Sequence, residues 1–318
     1  MKKIILDLDT GIDDALAIAY VLGSPDAELF GITGTYGNVL LDQGVRNSLA
    51  LTDLLGHPEV PVFRGEPHAQ AAEGFRVSAA TALIHGPDGV GGVELPAPRR
   101  TAEEVPAVDF IVRAAHEYGA DLVLVPTGPL TNVAAALRKD PEVKDLIGRV
   151  VLMGGALTQP GNVNAWTEAN IGQDPEAANE VFRSGVRATM VGLDVTHQTL
   201  LTHDETRQWR QLGTRAGEAY ADMTDFYIKA YETTAPHLGG CGLHDPLAAA
   251  VALDPTLVEC LPINMKVETE GATRGRTIGD ERRLNDPEKT MEVAVRVDVE
   301  RFLAEFMSRI GSLLAKAR

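Results

Sequence analysis

Cysteine is nearly absent from this 318-residue chain: Cys241 and Cys260 are its only two, too few for a disulfide framework and in keeping with free thiols in a reducing compartment. No apolar run is long enough for a secretory or membrane-spanning segment, because MKKIILDLD leads straight into a strand pattern, so the expected location is cytoplasmic and no membrane partner is expected. Nor is there a run of lysine or arginine able to track a phosphate backbone. With 45 acidic against 29 basic residues the formal charge is −16, which argues against nucleic-acid polymers as partners. Internal repeats, low-complexity tracts and linkers are missing too, so the chain reads as a single domain over residues 1–318 with enough apolar residues for a sizeable core.

What is present is alternation. Short β-branched runs (KIILDLD, AELFGITGT, DLVLVPT, VVLMGG, ATMVGLDVT) are separated by helical patterns, among them an alanine-rich helix from Asp13, one over about residues 43–55, one over about 107–118, and one opening at DPEAANEVF. This order predicts an α/β fold, doubly wound, with a mostly parallel central sheet and helices on both faces. Near the C-terminus NMKVETEG, TRGRTIGD and MEVAVRVDV read as a small antiparallel strand addition, before a last amphipathic helix from Glu300. The longest irregular stretch, roughly residues 66–104, suits either a lid or a tolerated surface insertion.

The densest chemistry lies in IILDLDTGIDDALA. A strand period of two puts Asp7 and Asp9 on one face, and Asp13 and Asp14 follow where a helix opens. One aspartate there is ordinary capping. Four carboxylates within eight residues repel one another, and a hard cation such as Ca²⁺ or Mg²⁺ at a strand-end crevice is the economical resolution. A haloacid-dehalogenase-like phosphohydrolase, with Asp7 as nucleophile and Mg²⁺, is the competing reading; its D-x-D-x-[TV] string is broken here by Gly11.

Four distant segments carry polar residues poorly explained by core or turn chemistry as a set. Asn38 follows the second strand, and Thr127 ends DLVLVPT where its carbonyl can turn toward a cation. Thr131, Asn132 and Asp174-Pro175 read as helix openings. Asn162, Glu168 and Asn170 form a loop suited to gripping hydroxyls, and His244-Asp245 opens an apolar helix, the histidine being a candidate proton donor near neutral pH.

In this order, from residue 4 to about residue 251, the segments resemble the inosine-uridine-preferring nucleoside hydrolases, whose D-x-D-x-G-x-D-D signature Asp7, Asp9, Asp13 and Asp14 match. The resemblance implies hydrolysis of a nucleoside to ribose and free base. It also implies Ca²⁺ held by Asp9, Asp14, the Thr127 carbonyl and Asp245, with Asp9 as general base and His244 as leaving-group acid. Asn38 joins that catalytic set and, with Asp13, holds the ribose; Asn162, Glu168 and Asn170 contact its hydroxyls, and His85 lies in a flexible loop beside the base. A small-molecule nucleoside is the implied partner, and a homo-oligomer, dimer or tetramer, the implied assembly. Two positions depart from the family: Thr10 stands where proline is usual and Ala169 where an aromatic is common, leaving a gap that Trp166 is a candidate to fill. On the helix over about 216–234, Tyr227 and Tyr231 share a face at i, i+4 and suit either core packing or contact with the base. A non-catalytic nucleoside sensor is the third reading.

Overall fold

The β-branched run at the start of the chain becomes a central strand. The structure is a computed structural model and describes residues 1–317. The first half runs β1 (Lys2–Leu8), α1 (Ile12–Leu22), β2 (Ala27–Gly34), α2 (Leu41–Leu54), β3 (Val62–Arg64), α3 (Ala79–His85), α4 (Ala107–Tyr118), β4 (Leu122–Pro126), α5 (Thr131–Lys139), α6 (Val143–Leu146) and β5 (Arg149–Met153). There follow α7 (Ala169–Gln173), α8 (Pro175–Arg183), β6 (Ala188–Val191), α9 (Leu193–Thr196), β7 (Leu200–Leu201), α10 (His203–Arg210), α11 (Arg215–Thr234) and β8 (Cys241–Gly242). The chain closes with α12 (His244–Leu253), β9 (Val258–Pro262), β10 (Met265–Val267), β11 (Thr277–Gly279), β12 (Met291–Val297) and α13 (Val299–Lys316).

Eight strands form one sheet in the order β3-β2-β1-β4-β5-β6-β12-β9. All pairs are parallel except β12 with β9. Alternation along β1 assigns the two faces: Ile4, Leu6 and Leu8 join one core with α1, α2, α11, α12 and α13, while Ile5 joins the other with α4, α5, α6 and α8. Helix α12 is apolar all round and buried along nearly its whole length, as befits a helix enclosed by others. Among the described residues no helix is long and apolar enough to cross a membrane.

The C-terminal region departs from expectation. NMKVETEG and TRGRTIGD do pair as an antiparallel ribbon, β10 with β11. MEVAVRVDV instead leaves the ribbon and enters the main sheet as β12, parallel to β6 and antiparallel to β9. The reason is burial: Met291, Val293 and Ala294 are closed off from solvent there, which a two-stranded ribbon cannot achieve.

Chain order reverses between β1 and β4, since β2 and β3 continue to one side and β5 and β6 to the other. Loops leaving neighbouring strands at such a reversal part to opposite faces and open a crevice at their carboxyl ends. Asp9 leaves β1 and Thr127 leaves β4 into that crevice.

Candidate active site

Helix α1 starts with its charges already engaged. The Gly11 N–H donates to Asp14 Oδ2 at 2.7 Å, and Thr127 Oγ1 donates to Asp14 Oδ1 at 2.8 Å. Asn38 supplies two more donors, its backbone N–H to Asp9 Oδ2 (2.7 Å) and its Nδ2 to Asp9 Oδ1 (3.1 Å) and Asp14 Oδ2 (3.2 Å). Thr10, lacking a proline's fixed φ, is held instead by hydrogen bonds: Oγ1 to Ser48 Oγ at 2.7 Å, and its carbonyl from Asn47 Nδ2 at 3.1 Å. The same Asn47 Nδ2 donates to the Asp88 carbonyl, tying this loop to the segment that covers it.

Asp13, Asp14 and Asp245 each offer an oxygen, all within 4.8 Å of one another and all buried. Asp9 adjoins Asp14, its carboxyl pushed well above the usual range by burial and then by the Asp14 charge. Burial raises Asp13 and Asp14 to about 6, with Asp13 adding to the push on Asp14. Asp245 rises well above its ordinary value through burial and the neighbouring Asp13. Asp13 Oδ1 is buried without a hydrogen-bond partner among the described residues. An added Cβ at Gly11 would meet His85 Nδ1 at 2.6 Å, and one at Gly37 would meet Asp9 Oδ2 at 1.9 Å, so glycine is what lets these groups close in. Clustered, buried, all-oxygen donors of one charge with an orphaned oxygen fit a hard divalent cation.

Asp13 and Asp245 line one cavity of about 80 Å³ together with Asn38, His85, Thr127, Asn162, Glu168, Asn170, Tyr227, Tyr231 and His244, while Asp9 and Asp14 lie just behind that lining. On one side, α11 and α12 contribute a hydrogen-bonded chain. Tyr227 OH donates to Asp13 Oδ2 at 3.3 Å and sits 3.4 Å from Tyr231 OH, which lies 2.6 Å from His244 Nε2; His244 Nδ1 meets Thr196 Oγ1 at 2.8 Å. His244 is not partly protonated near neutral pH as its sequence position suggests, because complete burial pushes its imidazole down to about 3. His85, at the end of α3, is likewise held down to about 4 by burial, and its Nδ1 accepts from the Ile12 N–H at 3.3 Å.

The opposite wall belongs to α7, whose Ile171 packs into the other core. Glu168 caps that helix, accepting from the N–H groups of Asn170, Gly155 and Ile171. Asn170 Nδ2 reaches the Thr127 carbonyl at 2.7 Å, and Asn162 Oδ1 accepts from the Ala169 N–H at 3.0 Å. Thr81, Ile84, Met153 and Gln173 also face the cavity, unforeseen because none of these residue types is distinctive in sequence. Trp166 does not fill the space beside Ala169; it is 44% exposed and lies under the Arg276 guanidinium, 5.6 Å from its ring centroid.

Asp7 stands behind the cavity. Its Oδ1 accepts from Thr33 Oγ1 (2.6 Å) and Asn132 Nδ2 (2.7 Å), and burial raises its carboxyl to about 6. Both hydrogen bonds hold Asp7 Oδ1 toward β2 and α5, so the phosphohydrolase reading finds no support in the placement of its nucleophile. Thr131 and Asn132 do open α5, yet both side chains also work across the loops: Thr131 Oγ1 donates to Asp174 Oδ2 at 2.7 Å, and Asn132 braces Asp7.

Residues 4–304 match the family model of the inosine-uridine preferring nucleoside hydrolases. An inosine-uridine preferring nucleoside hydrolase of Leishmania major is 37% identical, with 98% of each chain covered. A probable uridine nucleosidase 2 of Arabidopsis thaliana is 35% identical, with 97% of each covered. The solved structure of a purine-preferring ribonucleoside hydrolase from Gardnerella vaginalis superposes with a TM-score of 0.98 at 69% identity, covering 99% of both chains.

Proposed function

Because the chain belongs to the inosine-uridine preferring nucleoside hydrolase family, an enzyme family that hydrolyses the N-glycosidic bond of ribonucleosides, we propose that it does so in this cavity with Asp9 as general base. The supporting observation is that one cavity is bordered by Asp13 and Asp245 of the buried carboxylate cluster on one side and by the Tyr231–His244 pair on another. Asp9, Asp14, Asp245 and the Thr127 carbonyl would hold Ca²⁺, with Asp13 at its edge. Bound there, the cation supplies charge to offset the carboxylates, oxygen coordination for a sugar diol and a lowered pKa for water.

The side chains supply the remaining work. Asn170, Glu168 and Asn162 present hydrogen-bonding groups to sugar hydroxyls, and Asp13 to the ring beside them. Asp9, kept ionised by the cation beside it, would take the proton from water as the new bond forms. Charge builds on the departing base as the C–N bond stretches. His244, neutral, keeps one ring N–H, and the Tyr231–His244 hydrogen bond offers the base a proton through either ring N–H or phenol. Likeness to the purine-preferring relative at 69% identity supports purine ribonucleosides as the preferred substrates. The direct test is a panel of inosine, adenosine and uridine: ribose and free base should appear without phosphate, fastest from a purine. Tight nucleoside binding with no ribose released would favour a sensor instead.

Two further outcomes are expected. Tyr231→Phe and His244→Ala should each slow nucleosides with poor leaving groups by about 10²-fold, while purines that solvent protonates at N7 lose less; equal losses across the panel would overturn the donor role.

The second concerns pH. In the cation-free protein Asp13 and Asp14 titrate at about 6, against near 4 in the unfolded chain. Folded protein therefore binds more protons between those values, and the stability these groups contribute is full below pH 4 and lost as pH rises through 6. Added Ca²⁺ should thus raise Tm more at pH 7 than at pH 5, read by thermal unfolding after chelation; an equal gain at both would refute the cluster as the binding site.

A further inference from the structure

At the end of the sheet away from the catalytic crevice, where β5, β6 and β12 begin, lies a second cavity of about 670 Å³, a volume usual for small-molecule sites. In a chain of 45 acidic and 29 basic residues, four cations face it: Lys144 of α6, Arg149 at the start of β5, Arg187 just before β6 and Lys289 just before β12. The ladder sets the two arginines abreast. Val150 pairs with Ala188 in parallel register, and its N–H donates to the Arg187 carbonyl at 2.9 Å. Arg149 and Arg187, one step earlier on each strand, therefore stand side by side and share a face. Among the described residues Lys144 meets Asp145 at 3.9 Å, while neither guanidinium forms an ion pair or a side-chain hydrogen bond. Like charges held abreast without a counter-charge repel, and an arriving anion relieves them.

Glu288 and Glu292 face the same cavity, and among the described residues they form no ion pair either. Charges of both signs thus border one space without cancelling each other, and they ask for different groups. A guanidinium fork matches phosphate oxygens, and a carboxylate accepts from hydroxyls. Among the described residues no aromatic side chain lines the cavity, so a nucleobase finds nothing there to stack on. Phosphate and hydroxyls without a base describe a sugar phosphate.

We propose that this cavity binds a small sugar phosphate, with Arg149 and Arg187 on the phosphate and Glu288 and Glu292 on the hydroxyls. Lys289 Nζ donates to the carbonyls of Leu284 (2.7 Å) and Arg283 (3.3 Å), which leaves its third proton for a phosphate oxygen. The site is separate from the catalytic one. Strand β5 carries Arg149 at its amino end and Met153, which lines the catalytic cavity, at its carboxyl end, about 13 Å apart at roughly 3.3 Å per residue. Nothing in this proposal depends on the assignment of the reaction.

The test is calorimetric titration of the full chain at low salt, with and without chelator, using ribose 5-phosphate, ribose, inorganic phosphate and adenosine 5′-monophosphate. Ribose 5-phosphate should bind at least about tenfold more tightly than ribose or inorganic phosphate, more tightly than the nucleotide, and equally well after chelation. Arg149→Gln combined with Arg187→Gln should weaken it about 10- to 100-fold, as loss of charge-assisted hydrogen bonds requires. Glu288→Ala combined with Glu292→Ala should weaken ribose 5-phosphate about 3- to 10-fold yet leave inorganic phosphate unchanged or tighter, because two repelling charges are gone. Thermal unfolding reports whether each variant is folded; should the arginine pair not fold, Arg187→Gln alone, at an exposed position, carries the test. No binding by wild type, binding lost on chelation, equal affinity for phosphate alone, tighter binding of the nucleotide, or indifference to the arginine variants overturns the proposal. So does an oligomer that falls apart in the arginine variants, since a second copy of the chain would then be what covers the cavity.

Discussion

Replacing Asp9 with alanine should leave a folded protein that releases ribose at least about 10³-fold more slowly than wild type, within the range spanned by loss of a general base. The expectation has two parts, and together they exclude simple unfolding. Asp9 is buried among like charges that already force its carboxyl up, so removing it relieves repulsion in the cation-free protein and should leave Tm unchanged or higher. Its hydrogen bonds from Asn38 are lost, but the same Asn38 Nδ2 retains Asp14 as a partner. Activity and stability should therefore move independently. Asp9→Asn, which preserves shape and an acceptor oxygen, should be nearly as slow, because an amide takes no proton. Ribose release by either variant at the wild-type rate would end the case for Asp9 as base.

Exhaustive chelation should have an effect of comparable size, lowering ribose release by about 10²-fold or more, as befits removal of several kcal/mol of charge stabilisation. Ca²⁺ should restore the rate, and Mg²⁺ less fully, since the smaller ion demands near-octahedral geometry and retains its waters. Asp13, Asp14 and Asp245 converge from two helix starts, α1 and α12, and among the described residues no lysine or arginine lines the cavity that Asp13 and Asp245 border. Full activity after chelation, verified by metal analysis, would mean that protonation alone manages the cluster.

Much of the fold was legible because its signals are local. The helix over 107–118 coincides with α4, and Asp174-Pro175 opens α8 with the Asp174 side chain accepting from the Ala177 N–H, as capping chemistry dictates. The partner of β12 was not legible, because an alternating strand pattern states which face is apolar and not which distant strand lies alongside; β6 precedes it by almost the length of a domain. The same division runs through the site. Four aspartates within eight residues announce themselves, whereas the single glutamine at 173 becomes notable only once the fold places it on the cavity wall. His244 was found by its neighbour Asp245, but its charge state depends on everything packed around it, and burial decided that. Trp166 failed for the opposite reason: proximity in sequence to Ala169 did not bring the ring to the cavity.

Helix α3 and the segment around it bear on how fast the protein can work. The cavity of about 80 Å³ holds only a few waters, while pockets for small ligands commonly run to about 300–1,000 Å³. His85, Ile84 and Thr81 of α3 form part of its wall, and Asn47 fastens the following Asp88 carbonyl to the same loop that carries Asp9. A bound nucleoside therefore needs more room than the wall leaves in this conformation, and taking one up would shift α3 or its neighbours. Such a shift would compete with bond cleavage in setting the rate, and the Asn47–Asp88 hydrogen bond is one of the contacts it would strain.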